Sequence, residues 1–205
     1  MFVQVFQGQV SDASQVRDAA EDWVQRLAPG AEGWLGSTMG VTDDGTLIAV
    51  ARFESADAAR RNSGRAQQGE WWSGVEKLFP QGAVFHDCSQ VDLGRRGGSD
   101  EAGFVQVMQG RTSDLARMRE MGQRLERDFP DMRPDLLGYL TAVHDGENGA
   151  FTQVFYFTSE EEARAGERGE REMPAEATEE LQQVMELVQD VRYYDLREPW
   201  LYSAR

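Results

Sequence analysis

Phe2-Val-Gln-Val-Phe-Gln-Gly-Gln-Val-Ser-Asp12 and Phe104-Val-Gln-Val-Met-Gln-Gly-Arg-Thr-Ser-Asp114 are one stretch written twice. Phe, Val, Gln, Val, Gln, Gly, Ser and Asp recur at a single offset, the one that carries Phe2 onto Phe104. Working outward, Arg17 meets Arg119 and Leu35-Gly36 meets Leu137-Gly138. Past a hairpin slightly longer in the second copy, Phe53-x-Ser55 meets Phe157-x-Ser159 and Ala59-Arg60 meets Ala163-Arg164. So many matches in register are the mark of duplication. The 205 residues therefore read as two copies of one α+β unit, residues 1–92 and 104–205, the second ending in a short tail with Trp200 and Tyr202. Between them, residues 93–103 include Gly94-Arg95-Arg96-Gly97-Gly98-Ser99-Asp100. Small and polar residues cannot bury a core, so this stretch is expected to be a flexible linker.

Each unit has the order β-α-β-β-α-β. Residues 2–10 alternate as a strand does. Ser11 or Asp12 can then cap a helix, because a short side-chain oxygen satisfies orphan backbone N–H groups. That helix buries Val16, Ala20, Trp23 and Leu27, and its counterpart buries Met118, Met121, Leu125 and Phe129, at spacings that fall on one helical face. Residues 34–41 and 46–53 are strands around the turn Asp43-Asp44-Gly45. Ser55 starts a second helix, and Ser159 with Glu162 has the spacing of a capping box. A further helical stretch carries Trp71, Val75, Leu78 and Phe79, matched loosely by Leu181, Val184, Met185 and Val188. The last strands are expected near 83–91 and 190–196.

Composition narrows the function. With 40% hydrophobic and 28% charged residues the chain has an ordinary globular composition. A formal net charge of −15 repels phosphate backbones and anionic lipid, which argues against nucleic acid and membrane partners. The opening Met1-Phe2-Val3-Gln4-Val5 alternates like a strand and lacks a basic segment followed by an apolar run. No secretory signal is therefore expected, and a cytoplasmic location follows by default. One cysteine, Cys88, excludes an internal disulfide and a thiolate-rich structural zinc site. No glycine-rich phosphate loop or nucleophile-elbow motif stands in a suitable strand–helix context, so nucleotide-dependent chemistry has no support.

A β-α-β-β-α-β unit folds as a ferredoxin-like split β-α-β, an antiparallel sheet with helices on one face. The bare sheet face must be covered, and two units in one chain can cover each other. The first copy carries Val3-x-Val5, Gly33-Trp34-Leu35-Gly36 and Phe53-Glu54-Ser55-Ala56-Asp57-Ala58, and the second carries Leu136-Leu137-Gly138 and Phe157-Thr158-Ser159-Glu160. In these stretches the pattern resembles the dimeric α+β barrel superfamily, particularly antibiotic-biosynthesis-monooxygenase-like proteins. That resemblance implies two ferredoxin-like repeats forming an intrachain pseudo-dimeric α+β barrel. Further association of chains, through strand edges or helices, stays open. The resemblance also implies a pocket between the two sheets for a small aromatic or apolar ligand, with the Phe2/Gln4/Phe6 face looking into it.

Five residues are candidates to line that pocket: Gln4, Phe6, Trp34, Gln106 and Met108. A buried amide needs partners and can orient a ligand; the alternative is that Gln4 and Gln106 bond each other or water. His86, which corresponds to Tyr194, is the candidate general base, against the plainer reading of a partly buried strand residue. Cys88 lies on the same strand face as His86 but lacks a third orienting group, and is read as structural. His144 precedes a hairpin Asp145-Gly146 and is expected to be solvated. The two histidines show no metal-ligand spacing, so no metal is expected. Haem-degrading members of the superfamily place an Asn, a Trp and a His where this chain has Phe6 and Met108, Asn62 and Gly166, and Trp71 and roughly Ala175. Haem chemistry and other cofactors are therefore not expected.

Two functions follow. The first is a small-molecule-binding protein resembling cofactor-independent monooxygenases. The alternative is a non-catalytic binding or stress-associated module with a filled core.

Overall fold

The computed structural model describes residues 1–95, 97–170 and 173–204; Arg96, within the expected linker, lies outside them. Two compact units make up the chain: residues 1–91 with the C-terminal segment from Glu198, and Asp92–Arg197.

The first unit runs β1 (Phe2–Gln9), α1 (Ala13–Arg26), β2 (Trp34–Val41), β3 (Thr46–Phe53), α2 (Ala56–Ser63), α3 (Ala66–Val75) and β4 (Val84–Cys88). After β5 (Gln90–Gly94), the second repeats the order with β6 (Phe104–Thr112), α4 (Leu115–Asp128), β7 (Leu136–Val143), β8 (Ala150–Phe157), α5 (Glu160–Glu167), α6 (Ala175–Glu186) and β9 (Val188–Leu196), and β10 (Trp200–Ser203) follows. Local chemistry sets these bounds. Asp12 and Asp114 accept from the N–H groups of Gln15 and Arg117 at 3.0 and 2.9 Å, and Ser55 and Ser159 do the same for Ala58 and Glu162 at 3.1 and 3.2 Å. The β2–β3 hairpin turns at Gly45, whose φ of +83° suits glycine.

Both sheets are antiparallel, with strand orders β10-β2-β3-β1-β4 and β5-β7-β8-β6-β9. The duplication extends to the register: Phe2 faces Phe53 and Phe104 faces Phe157, while Val5 faces His86 and Val107 faces Tyr194. A bulge recurs in both copies, between Trp34 and Gly36 and between Leu136 and Gly138. The glycine after the bulge is required sterically. A Cβ on Gly138 would sit 1.9 Å from the Gly97 carbonyl oxygen, and one on Gly36 would sit 2.5 Å from that of Tyr202.

Two segments behave differently from their sequence reading. Residues 93 and 94, expected to open a flexible linker, belong to strand β5, which lies beside β7. Trp200–Ser203, expected as a tail on the second repeat, is a strand that pairs with β2, with Trp200 opposite Met39 and Tyr202 opposite Ser37. Each four-stranded ferredoxin-like sheet thereby gains a fifth strand on the same edge.

The face carrying Phe2 is the one that its own unit's helices cover. Phe2 packs with Trp23, Leu27, Trp34, Phe53, Ala58 and Ala59. Val16, Ala20, Met39, Leu47, Ala49, Val75, Phe79 and Trp200 form a second cluster beside it. The expectation that Phe2, Gln4 and Phe6 look into an interior between the sheets is corrected by this packing. Both faces of β1 are apolar, so alternation divides the residues without saying which set meets the helices. Among the described residues, no helix is long and apolar enough to cross a membrane.

Candidate functional site

The two units differ in what lies between sheet and helices. In the second, a cavity of about 750 Å³ opens there. Its floor includes Gln106 and Met108 of β6, Tyr139 and Thr141 of β7, Gln153 and Phe155 of β8, and Tyr193 and Asp195 of β9. Its roof comes from α4 (Met118, Gly122, Glu126), α5 (Arg164, Glu167) and α6 (Leu181, Val184, Met185). The corresponding space in the first unit is only about 80 Å³.

Tryptophan explains the difference. All five tryptophans, Trp23, Trp34, Trp71, Trp72 and Trp200, lie in the first unit. Trp23 meets Trp34 and Trp71 at ring-centroid distances of 5.2 and 6.5 Å, and Trp72 meets Phe6 and Phe85 at 5.8 and 5.1 Å. Leu125 and Leu136 stand in the second unit where Trp23 and Trp34 stand in the first, so the same framework is left open.

Two hydrogen-bonded clusters stand on the walls of the open cavity. At one, the Gln106 amide donates to Glu167 Oε1 at 3.0 Å and to Asp195 Oδ1 at 3.2 Å. Arg164 ties these carboxylates together, donating to Glu167 at 2.8 Å and pairing with Asp195; its guanidinium also lies 5.2 Å from the centre of the Phe104 ring. At the other, Tyr139 donates its hydroxyl to Glu126 Oε2 at 3.1 Å, and the Arg95 backbone N–H donates to Glu126 Oε1 at 2.6 Å. Burial, and then the neighbouring Glu126 carboxylate, push the Tyr139 phenol up to about 12. Burial, followed by the charge of Glu167, also raises Tyr193. Among the described residues, each of the three lining arginines is held by carboxylate: Arg119 by Asp92, Arg133 by Asp135 at 2.7 Å, and Arg164 as above.

The sequence-predicted residues separate. Gln106 and Met108 lie in the open cavity. Gln4, Phe6 and Trp34 border the small one, where Gln4 donates to Asp87 at 2.9 Å and the Trp34 indole to Ser37 at 3.1 Å. His86 faces Val5 whereas Asp87 faces Gln4, so His86 and Gln4 project from opposite faces of the sheet and do not share a site. Cys88 is buried on the His86 face, with its thiol against the His86 carbonyl at 3.8 Å. His144, expected to be solvated, is 6% exposed, with Nε2 2.8 Å from Thr152 Oγ1.

Glu126, Tyr139, Arg164, Glu167 and Asp195 were not singled out by the sequence reading. Comparing the copies marks some of them. The Gln106–Asp195 pair has its counterpart in Gln4–Asp87, in the unit whose interior is filled, so that pair belongs to the fold. Glu126 and Tyr139 stand instead where the first copy has Val24 and Ser37, and those two residues border the small cavity.

No family model matches the chain, and no curated protein sequence matches it. Solved structures do. A candidate monooxygenase from Lactobacillus acidophilus superposes with a TM-score of 0.77 at 11% identity, over 98% of this chain and 95% of its own. An anthrone oxidase-like protein superposes with a TM-score of 0.62 at 11% identity, over 98% and 90%. A Listeria monocytogenes ferredoxin-fold protein related to antibiotic biosynthesis monooxygenases gives 0.50 at 13% identity, over 100% and 95%. At these identities the likeness establishes the fold: tandem ferredoxin-like repeats of the kind seen in antibiotic-biosynthesis-monooxygenase-like proteins.

Proposed function

We propose that the cavity of the second unit binds a small, largely apolar aromatic molecule, and that the protein acts on it in the manner of a cofactor-independent monooxygenase. The observation that carries this reading is the cavity itself, about 750 Å³ and lined by apolar side chains such as Met108, Phe155 and Leu181 together with polar ones. That size and character suit a drug-sized ligand. Both N–H groups of the Gln106 amide are engaged by carboxylates, so its carbonyl oxygen is what it offers a ligand. Glu126, Glu167 and Asp195 likewise accept. A ligand with hydroxyl donors on an apolar ring system complements such walls.

In the proposed chemistry an activated ring CH₂ gives up a proton, the resulting carbanion passes one electron to dioxygen, the two radicals combine to form a C–O bond, the peroxide takes a proton back, and loss of water from the hydroperoxide leaves a ring carbonyl. The chain's part is to hold the ring, exclude water and take the first proton on a cavity carboxylate. The fold shared with an anthrone oxidase-like protein supports this choice of substrate. A second reading, binding without catalysis, is favoured by the engaged donors: the hydrogens of Gln106 and Tyr139 already point to carboxylates, whereas an oxyanion needs donors aimed at it.

Calorimetric titration with hydroxylated anthrones, followed by dioxygen uptake on an electrode, separates the readings. Binding with uptake, both abolished by Gly122→Leu in the roof, is the expected result. Binding without uptake selects the binding module. No binding at all removes the cavity from both.

A further inference from the structure

Among the groups around the cavity, Glu126 and Tyr139 differ in kind from the rest. They project from α4 and β7 and meet across the space between helix and sheet at 3.1 Å. The positions they occupy line the interior in both units, but they carry a carboxylate and a phenol only where the interior is open. Among the described residues, the other carboxylates of the lining are each held by a guanidinium: Asp92 by Arg119, and Glu167 and Asp195 by Arg164. Glu126 is held instead by two neutral donors, one on each oxygen. A carboxylate oxygen has two acceptor directions, so each still has one to offer.

We infer that Glu126 is the specificity-determining residue of the cavity, accepting a hydrogen bond from a neutral hydroxyl of the ligand, and that Tyr139 is the positioning residue that holds its carboxylate. This rests on the cavity being a ligand site, as proposed above. The chemistry of the walls selects the ligand class. Anionic ligands are disfavoured because Arg119, Arg133 and Arg164 are all engaged by carboxylates. An ammonium brings three donors, whereas among the described residues this side adds only the carboxylate of Asp92, already held by Arg119. One phenolic hydroxyl matches one charged acceptor, and a hydrogen bond to a charged group is the stronger kind.

The test uses three probes of similar shape on the full chain: 1-naphthol, its methyl ether, and 1-naphthylmethylamine. Dissociation constants are measured by calorimetry for the unmodified protein and for Glu126→Val, which installs the residue of the first copy, and Tyr139→Phe. The expected result is that 1-naphthol binds about tenfold more tightly than the ether, in line with a hydrogen bond to an ionised acceptor. Glu126→Val should abolish that preference while leaving ether affinity within about twofold, and Tyr139→Phe should reduce it partway. Equal affinity for naphthol and ether in the unmodified protein overturns the inference while leaving the cavity a ligand site. So does tighter binding of the amine, or a preference that survives Glu126→Val. Absence of binding by all three probes overturns the cavity reading and this inference together. Far-ultraviolet circular dichroism of each variant separates misfolding from loss of contact, and Glu126→Gln, which keeps an acceptor without the charge, should fall between the unmodified protein and Glu126→Val.

Discussion

Trp23 and Trp34 meet edge to face with ring centroids 5.2 Å apart, on a framework whose second copy carries Leu125 and Leu136 at the same places. One helix position and one strand position thus contribute, with Trp71 beside them, to filling the space under the helices of the first unit. The Trp23 indole also donates to Gln68 Oε1 at 2.6 Å, so the filled unit is bonded as well as packed.

Replacing Trp23 with Leu copies the residue of the open unit into the closed one. The change combines a cavity with the loss of one hydrogen bond to Gln68 Oε1, which keeps the Asn62 amide at 3.4 Å, and the cost should be about 2–4 kcal/mol. Urea denaturation measures it. Tryptophan fluorescence reports the first unit alone, because every tryptophan belongs to it, while circular dichroism reports both. The two probes should diverge in Trp23→Leu, with fluorescence moving to lower urea. Coincident shifts would show that the two units unfold as one.

Gly122 lies within α4 on the cavity wall, and a Cβ there would have nothing within 4 Å. A helix-interior glycine is less favourable than alanine by about 0.5–1 kcal/mol. Gly122→Ala should therefore raise stability by about that amount, read from the midpoint of thermal unfolding. Gly122→Leu should keep much of the gain and block the cavity. A variant more stable but unable to bind would separate ligand binding from folding, which few core substitutions can do.

The local elements were legible because their signals are local. Residues 34–41 and 46–53 alternate on either side of Asp43-Asp44-Gly45, and β2 and β3 have those limits. β10 was not legible: Trp200–Ser203 is short, and its partner β2 is remote in sequence, so nothing near Trp200 signals the pairing. The direction of the Gln4 face escaped for a different reason. Val3 and Val5 are as buried as Phe2, and a strand apolar on both sides does not say which side takes the helices. Glu126 falls on α4 among charged neighbours and reads as solvated polar face. Only the fold brings Tyr139 to it.

Tyr139 should titrate late. Burial and the adjacent Glu126 raise its folded-state value to about 12, from an ordinary value near 10. A raised value means that the folded state holds its proton more tightly than the unfolded state does. The stabilisation is therefore fully present below pH ~10 and is lost as pH rises toward ~12. Absorbance at 295 nm should show a late-titrating phenol that disappears in Tyr139→Phe. That variant should also lose less stability between pH ~10 and ~12 than the parent. Loss of an ordinary titration near pH ~10 instead would mean that Glu126 and burial do not act on this phenol as the geometry requires.

Trp200 is 8% exposed and packs with Val16, Ala20, Met39 and Leu47 in the core of the first unit, with the Arg17 guanidinium 5.9 Å from the centre of its ring. The strand it begins hydrogen-bonds to β2, so the last residues stabilise the unit that is remote from them in sequence. Trp200→Ala should cost about 3–5 kcal/mol, the range for emptying a buried aromatic site. Removing residues from Glu198 onward should cost more, because β2 then loses its edge partner and exposes unpaired backbone groups. Hydrogen exchange read by mass spectrometry locates the damage. Protection should fall in β2 and α1 of the first unit, while β6 and β8 of the second keep theirs. If protection fell first in β9, the strand that precedes it in sequence, the C-terminal strand would be stabilising its sequence neighbour and not the sheet it joins.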